Sequence, residues 1–331
     1  MKNIVFFAIV LLCSCSKNSH ITENPKALLW KDISNEIIIS CDSIKITNLQ
    51  TAAYLMYSNA VINGWNDIKT NTYFQNCIEI ISSNSYGLDY EWDAFQDGTI
   101  NSIETNYTIT MTDHVGYPFI EGYKNGFIDE SCLIKIFEKL NNVPEADTLG
   151  NGVCIAYSDS PFDQIGCVHN VNISVAYFIS ELLDLNMIEP TYLNLVDSII
   201  HRELTSYIPS VNNYLYWDGS DRLTDHNHLC FQAWCMSKLD NFKSKEISMN
   251  LINEMILNRE KTISSLIGYL RILTINSQLE DSLYNDLSNI VNNTDSLYTQ
   301  SESYNFENPR VKAQLALWSS LYYKQIRFLE N

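Results

Sequence analysis

From residue 49 onward, apolar residues recur at helical spacing almost without interruption, and they rarely alternate with polar ones. Only Glu36 to Ile39 and Ile44 to Ile46 read as strand-like patches. Residues 49–82 read as helix with a break at Asn63-Gly64, and Tyr107 to Gly126 as a second helical stretch closed by Gly126. Asp129 suits an N-cap, followed by Leu133, Ile136, Phe137 and Leu140 on one helix face. Further helices are expected at about 170–186, 190–206, 228–240, 245–258, 261–276, 279–292 and 310–328. That is too many for a four-helix bundle, and no fixed repeat period marks a regular solenoid. Long linkers alternate with short turns. The fold class that follows is all-α: an α/α toroid, an incomplete or full ring of helical hairpins, as one domain over residues 26–331.

In such a ring the long linkers gather at one mouth. Four of the six histidines (His114, His169, His226 and His228) lie where a polar loop becomes an apolar helix. A pocket built from loops and helix N-termini follows, and helix N-termini favour anionic groups.

The N-terminus gives an address. Residues 1–15 read MKNIVFFAIVLLCSC, a basic start and a short apolar core of signal-peptide form, too short to span a membrane. Leu12-Cys13-Ser14-Cys15 resembles a bacterial lipobox. The expectation is a signal over 1–14, an acylated Cys15 bearing a palmitate-type chain, and a polar tether over 15–25. Ser16 follows the lipid site rather than Asp, which favours the outer membrane of the cell envelope. A lipid anchor holds a protein on a membrane without spanning it.

The net charge of −18 argues against nucleic acid as a partner. It leaves room for an anionic glycan at a locally positive pocket, to which Arg202, Arg222 and Arg310 are candidate contributors. Seven cysteines remain after Cys15, so at least one stays free. Cys154 and Cys167 flank one loop and are the pair most suited to a disulfide, while Cys230 and Cys235 read as small core residues.

Three polar clusters carry the candidate chemistry. Tyr214 to His228 packs aromatics, carboxylates, Arg222, His226 and His228 into fifteen positions. Tyr216 and Trp217 offer faces for sugar stacking, and neighbouring carboxylates and imidazoles suit hydroxyls. Asp225 or Thr224 also suits a plain N-cap. Asp225, His226 and His228 have metal-ligand types, but two residues apart on a helix the histidines do not share a face, so no metal and no cofactor is expected. Tyr157 to Asp163 leads into His169, Asn170 and Asn172, which suit either a hydroxylated ligand or a capping network. Trp92, with Glu91 and Asp93, and Thr112-Asp113-His114 form the third cluster. Paired carboxylates would suit glycoside hydrolysis; a His base with a Tyr acid would suit a lyase or epimerase. No GxSxG elbow, P-loop, HExxH or GxGxxG occurs.

Two of these segments carry a resemblance. Tyr157-Ser158, Asp163 and Val168-His169-Asn170-Val171-Asn172 resemble a segment of bacterial α/α-toroid proteins encoded with polysaccharide genes. Tyr216-Trp217-Asp218-Gly219 followed by Thr224-Asp225-His226-Asn227-His228 resembles a second segment of the same proteins. There Asp225 and His228 keep the pattern, while His226 and Leu229 depart from its Asn and Thr. The resemblance covers about 155–240 and implies a toroid of the six-hairpin glycosidase-like or terpenoid-cyclase-like kind with a link to glycans. The resulting expectation is a lipid-anchored protein with a pocket for a polysaccharide or oligosaccharide. Its candidate catalytic residues are Asp225, His228, His169, Asp113 and His114. Trp217, Tyr216, Asn170, Asn172, Tyr157, Trp92 and Arg222 are candidates for substrate binding. The activity would be that of a lyase, epimerase or glycoside hydrolase; the rival is a non-catalytic glycan-binding or polysaccharide-assembly protein.

Overall fold

A computed structural model describes residues 23–146, 151–258, 260–275, 281–292 and 305–327. The expected signal, Cys15 and most of the tether lie outside the described residues. Among these residues twelve α-helices follow in chain order: α1 Pro25–Ser40, α2 Leu49–Asn63, α3 Ile68–Asn84, α4 Tyr117–Lys124, α5 Glu130–Leu140, α6 His169–Asp184, α7 Leu193–Ser206, α8 His226–Lys238, α9 Phe242–Leu257, α10 Ile263–Leu273, α11 Asp281–Val291 and α12 Pro309–Ile326. A π-helical turn, Thr110–Gly116, runs directly into α4. Among the described residues, β-structure is limited to isolated bridges between loops. No helix among them is long and apolar enough to cross a membrane.

Helix ends follow local chemistry. Asn48, Asp67, Asp129, Asn241, Thr262 and Asn308 accept backbone N–H groups of the first turns they precede. Gly64 and Gly126, both at positive φ, end α2 and the turn after α4 where the sequence places breaks. The strand-like reading of Glu36 to Ile39 is corrected: these residues belong to α1. A run of three isoleucines favours a strand locally. Here Ile37 and Ile38 are buried and Ile39 is exposed, so packing of one helical face overrides that preference.

The even-numbered helices form an inner ring. α2 packs on the π turn and α4, the π turn on α6, α6 on α8, α8 on α10, α10 on α12, and α12 back on α2. The ring is therefore full. α1, α3, α5, α7 and α9 lie outside, each against an inner helix, and α11 packs on α1. The burial pattern explains the split. Leu49 to Ala60 of α2 and Val311 to Tyr323 of α12 are buried on every side, as an inner helix requires. α5 buries one stripe, Leu133, Ile136 and Leu140, as an outer helix does. Small polar contacts let neighbours approach: Thr112 Oγ1 meets Ser174 Oγ, and Ser34 Oγ meets Ser319 Oγ, each at 2.7 Å.

Three links from an outer helix to the next inner helix are long (85–109, 141–168, 207–225), while the one from α9 to α10 is short (258–262). The returns are short (64–67, 125–129, 239–241). The long links therefore collect at the N-terminal end of the inner ring. The disulfide anticipated between Cys154 and Cys167 forms within one of them. Cys230 and Cys235 are free and buried.

Candidate functional site

A cavity of about 350 Å³ opens at that end. Every inner helix lines it, the π turn serving for α4, and α10 does so with Arg271 of its last turn. Gln50 comes from α2, Asp113 and His114 from the π turn, and Asn170 from α6. Asn227 and His228 come from α8, Arg271 from α10, and Arg310 and Gln314 from α12. The long links add Tyr90, Trp92, Tyr157 and Tyr216. Two of the three sequence clusters thus meet here through Trp92, Asp113, His114, Tyr216 and His228, and the third contributes Tyr157 and Asn170.

Asp113 is a buried charged element of this site. Its Oδ2 accepts from the Tyr54 hydroxyl at 2.5 Å and from Arg271 Nη2 at 3.2 Å. Arg271 is buried and sandwiched, its guanidinium carbon 4.1 Å from the Trp318 ring centre and 4.3 Å from that of Phe231. The π geometry that carries Asp113 depends on Gly116. A Cβ there would sit 2.3 Å from the Met111 carbonyl oxygen and 2.9 Å from Phe178. Burial, helped by the charges of Arg310 and Arg271 against that of Asp113, pushes the His114 imidazole down to about 4, so His114 is neutral. Burial likewise holds the Tyr157 phenol well above its ordinary value, as do the neighbouring tyrosines.

His228 is oriented by Asp225. Asp225 caps α8, its Oδ1 accepting the His228 backbone N–H at 3.2 Å, while Oδ2 lies 2.7 Å from His228 Nδ1. With Nδ1 engaged, Nε2 is the ring atom left for a ligand. Burial opposes ionisation of Asp225, but its bond to His228 outweighs this and holds the carboxyl down at about 2. The Tyr216 ring stands edge-on to His228, and Arg222 lies over the Tyr216 ring at 4.1 Å. Asp225 and Arg222 therefore support the wall rather than line the cavity.

Three residues of the sequence clusters point elsewhere. His169 is buried outside the cavity. Its Nδ1 lies 3.2 Å from Glu203 Oε2 and its Nε2 3.3 Å from Asp218 Oδ1. Arg202 completes this network on Asp218. Adjacent positions on a helix are about 100° apart, so Asn170 faces the cavity while His169 faces α7. Asn172 accepts from the Ile155 N–H and donates to Glu203, fixing a loop to the ring. Trp217 packs with Phe95, Val168 and Val171 beneath the mouth, over Gly166, where a Cβ would come within 2.7 Å of the indole. Cys167, His169 and Glu203 form the group among the described residues with metal-ligand spacing. The Cys167 sulfur is bonded to Cys154, and both imidazole nitrogens face carboxylates. His226 and His228 do not converge on a common point with Asp225 in this way.

Tyr54, Gln50, Arg271 and Gln314 are cavity or near-cavity residues that sequence reasoning did not single out. They sit inside apolar helix bodies, where one polar residue gives no local signal.

The fold has solved counterparts. An α-1,6-mannanase of glycoside hydrolase family 76 from Salegentibacter sp. HEL1_6 aligns over 89% of this chain and 99% of its own. Its TM-score is 0.57 and its identity 12%; it was solved as an inactive variant with α-1,6-mannotriose. A family 76 α-mannanase from Bacteroides thetaiotaomicron aligns over 90% of this chain and 96% of its own, with TM-score 0.59 and 10% identity. A family 105 glycoside hydrolase from C. acetobutylicum covers 89% of this chain and 99% of its own, with TM-score 0.53 and 11% identity. The chain has the six-hairpin glycosidase-like α/α-toroid fold. No family model matches the sequence, and no curated protein matches it significantly.

Proposed function

We propose that the central cavity is an oligosaccharide site and that the protein is a carbohydrate-active enzyme. One observation carries this reading. Among the described residues, five buried polar atoms on cavity-lining side chains have no hydrogen-bond partner: Asp113 Oδ1, His114 Nδ1, Asn170 Oδ1, Gln314 Oε1 and Arg271 Nε. Buried polar groups are ordinarily satisfied, and here three oxygen acceptors, one imidazole nitrogen and one guanidinium N–H are left over on residues lining a space that Tyr90, Trp92, Tyr157 and Tyr216 also wall. A polyhydroxylated ring satisfies such groups at its edge and stacks at its face. The toroid fold shared with two mannanases and a family 105 hydrolase supports the same reading.

In this proposal His228, held by Asp225, transfers the proton, and Asp113 binds and stabilises the reacting sugar from below. Among the described residues, Asp113 is the cavity's sole lining carboxylate. The two-carboxylate device of most glycosidases would have to draw on Asp225 through His228. The Salegentibacter enzyme is inactive when two adjacent aspartates are replaced; this sequence has no two adjacent aspartates. That difference favours imidazole-based proton transfer, and it is also the observation behind the second reading, a non-catalytic glycan-binding module. We further propose lipid attachment at Cys15 and an outer-membrane location, resting on the lipobox-like residues 12–15.

The decisive experiment incubates the protein with panels of oligosaccharides, α-1,6-mannotriose included, and follows both binding and product release. Turnover lost in H228A and D113N supports the enzyme. Binding without turnover establishes the module. Absence of both removes the saccharide site. Loss of membrane partitioning in C15S tests the anchor.

A further inference from the structure

Arg310 differs from the other charged groups of the cavity. Among the described residues, its wall carries two arginines and one carboxylate. Arg271 is engaged by Asp113. Arg310, among the described residues, has no carboxylate within ion-pair distance. Its Nη1 donates to the Tyr90 hydroxyl at 2.8 Å, and its backbone N–H is capped by Asn308 Oδ1 at 2.9 Å. In a chain with 39 acidic and 21 basic residues, a half-buried cation paired only with a neutral phenol is an uncompensated charge aimed at the site. The chain is strongly acidic, yet the cavity lining carries one more fixed positive charge than negative.

Arg310 and Tyr90 are also a shared wall. Behind them lies a second cavity of about 200 Å³, lined further by Thr47, Asn48, Asp89 and Lys45. Asp89 is engaged there by Thr47 at 3.1 Å and Asn48 at 2.9 Å. The two cavities thus lie on either side of Tyr90 and Arg310, which line both.

This inference rests on the saccharide reading and narrows it. We propose that the saccharide is anionic, and that Arg310 receives its acidic group, with the second cavity holding the adjoining sugar. Tyr90 holds one edge of the guanidinium, which leaves the other for the forked contact that a carboxylate or a sulfate ester accepts.

The test titrates the full chain with trisaccharides of galacturonate, glucuronate and mannuronate. It adds the same trisaccharides with each carboxylate reduced to a hydroxymethyl group, and neutral trisaccharides bearing a sulfate ester. The expected result is tighter binding of at least one carboxylate or sulfate probe than of its neutral form, by about ten- to hundredfold. R310Q removes that preference, and R310K keeps part of it because the charge remains without the fork. Added salt weakens the acidic probe and not the neutral one; this reading needs only the wild-type chain and stands if R310Q fails to fold. Equal binding of acidic and neutral probes overturns the inference and leaves the saccharide site intact. A preference that survives in R310Q overturns the assignment to Arg310. No binding of any probe or of α-1,6-mannotriose overturns the saccharide reading itself.

Discussion

Arg271 reaches Asp113 at 3.2 Å across the ring, 158 residues away in sequence. Both are buried, and the contact joins α10 to the π turn at the floor of the cavity. Removing one member of a buried ion pair leaves the other desolvated and alone, which costs about 3–5 kcal/mol. Arg271→Ala should therefore lower stability by that order in a denaturant melt. Arg271→Met, which keeps the stacking volume on Trp318 and Phe231, should cost less on the packing side. If R271A melts like the wild type, the pair is not a structural link of the ring.

Gly116 sets the geometry that brings Asp113 to that arginine. Gly116→Ala places a methyl 2.3 Å from a backbone oxygen that cannot swing away. The expected cost is about 1–3 kcal/mol, the range for overpacking a tight core. A weaker ligand affinity should accompany it, since His114 and Asp113 share the displaced turn. Wild-type melting and binding in G116A would show that the π turn tolerates the change and does not position the site.

The fold was largely legible because its signals are local. Asn63-Gly64, Gly126 and Asp129 punctuate helices by backbone conformation and capping, which depend on a few adjacent residues. Glu36 to Ile39 misled because β-branched preference is also local, whereas the burial that overrides it comes from helices far along the chain. The site was legible at its rim and at Asp113, His114 and Asn170, beside polar segments, but not in the helix bodies behind them. Tyr216, Tyr157 and Trp92 stand in polar loops that attract notice, and His228 stands in the first turn of α8 beside one. Tyr54 and Arg271, 217 residues apart, each sit in an apolar helix body, and only ring closure brings them to one carboxylate. His169 shows the opposite failure. Its neighbours resemble a site, but a single step of helix phase turns it outward to Glu203.

His169 makes a pH-dependent contribution to stability. Burial lowers its proton affinity, but Glu203 and Asp218 outweigh this and raise its value from 6.5 to about 9. The folded state thus binds this proton more tightly than the unfolded chain. The stabilisation is complete below 6.5 and fades as pH rises toward about 9. Its size is on the order of 3 kcal/mol. Denaturant melts across that window should show the loss in the wild type, and H169Q should remove most of the slope. A flat wild-type profile would place the proton elsewhere.

The Cys154–Cys167 bridge closes a short loop, with 13 residues of sequence separation, next to Tyr157 in the cavity wall. Loop-closure entropy for such a bridge is worth about 3 kcal/mol. Reduction, or the C154S/C167S double variant, should lower the melting temperature and weaken ligand binding together, because Ile155 and Tyr157 then lose their tether. Lower stability with unchanged affinity would confine the bridge to a structural role.

Asp225 has two functions that substitution can separate. As N-cap of α8 it is worth about 1 kcal/mol, lost in Asp225→Ala and kept in Asp225→Asn. As the partner of His228 Nδ1 it needs its charge, which a carboxyl held down at about 2 retains throughout the ordinary pH range. Asp225→Asn should therefore keep the melting temperature and still reduce turnover. His228→Ala should reduce turnover further, by about 10²–10⁴ in kcat, the usual worth of a positioned acid or base, with little change in KM. Equal loss of stability and activity in D225N would make Asp225 a cap alone. A fall in KM-dependent binding without a fall in kcat would make His228 a contact for the sugar rather than the group that moves its proton.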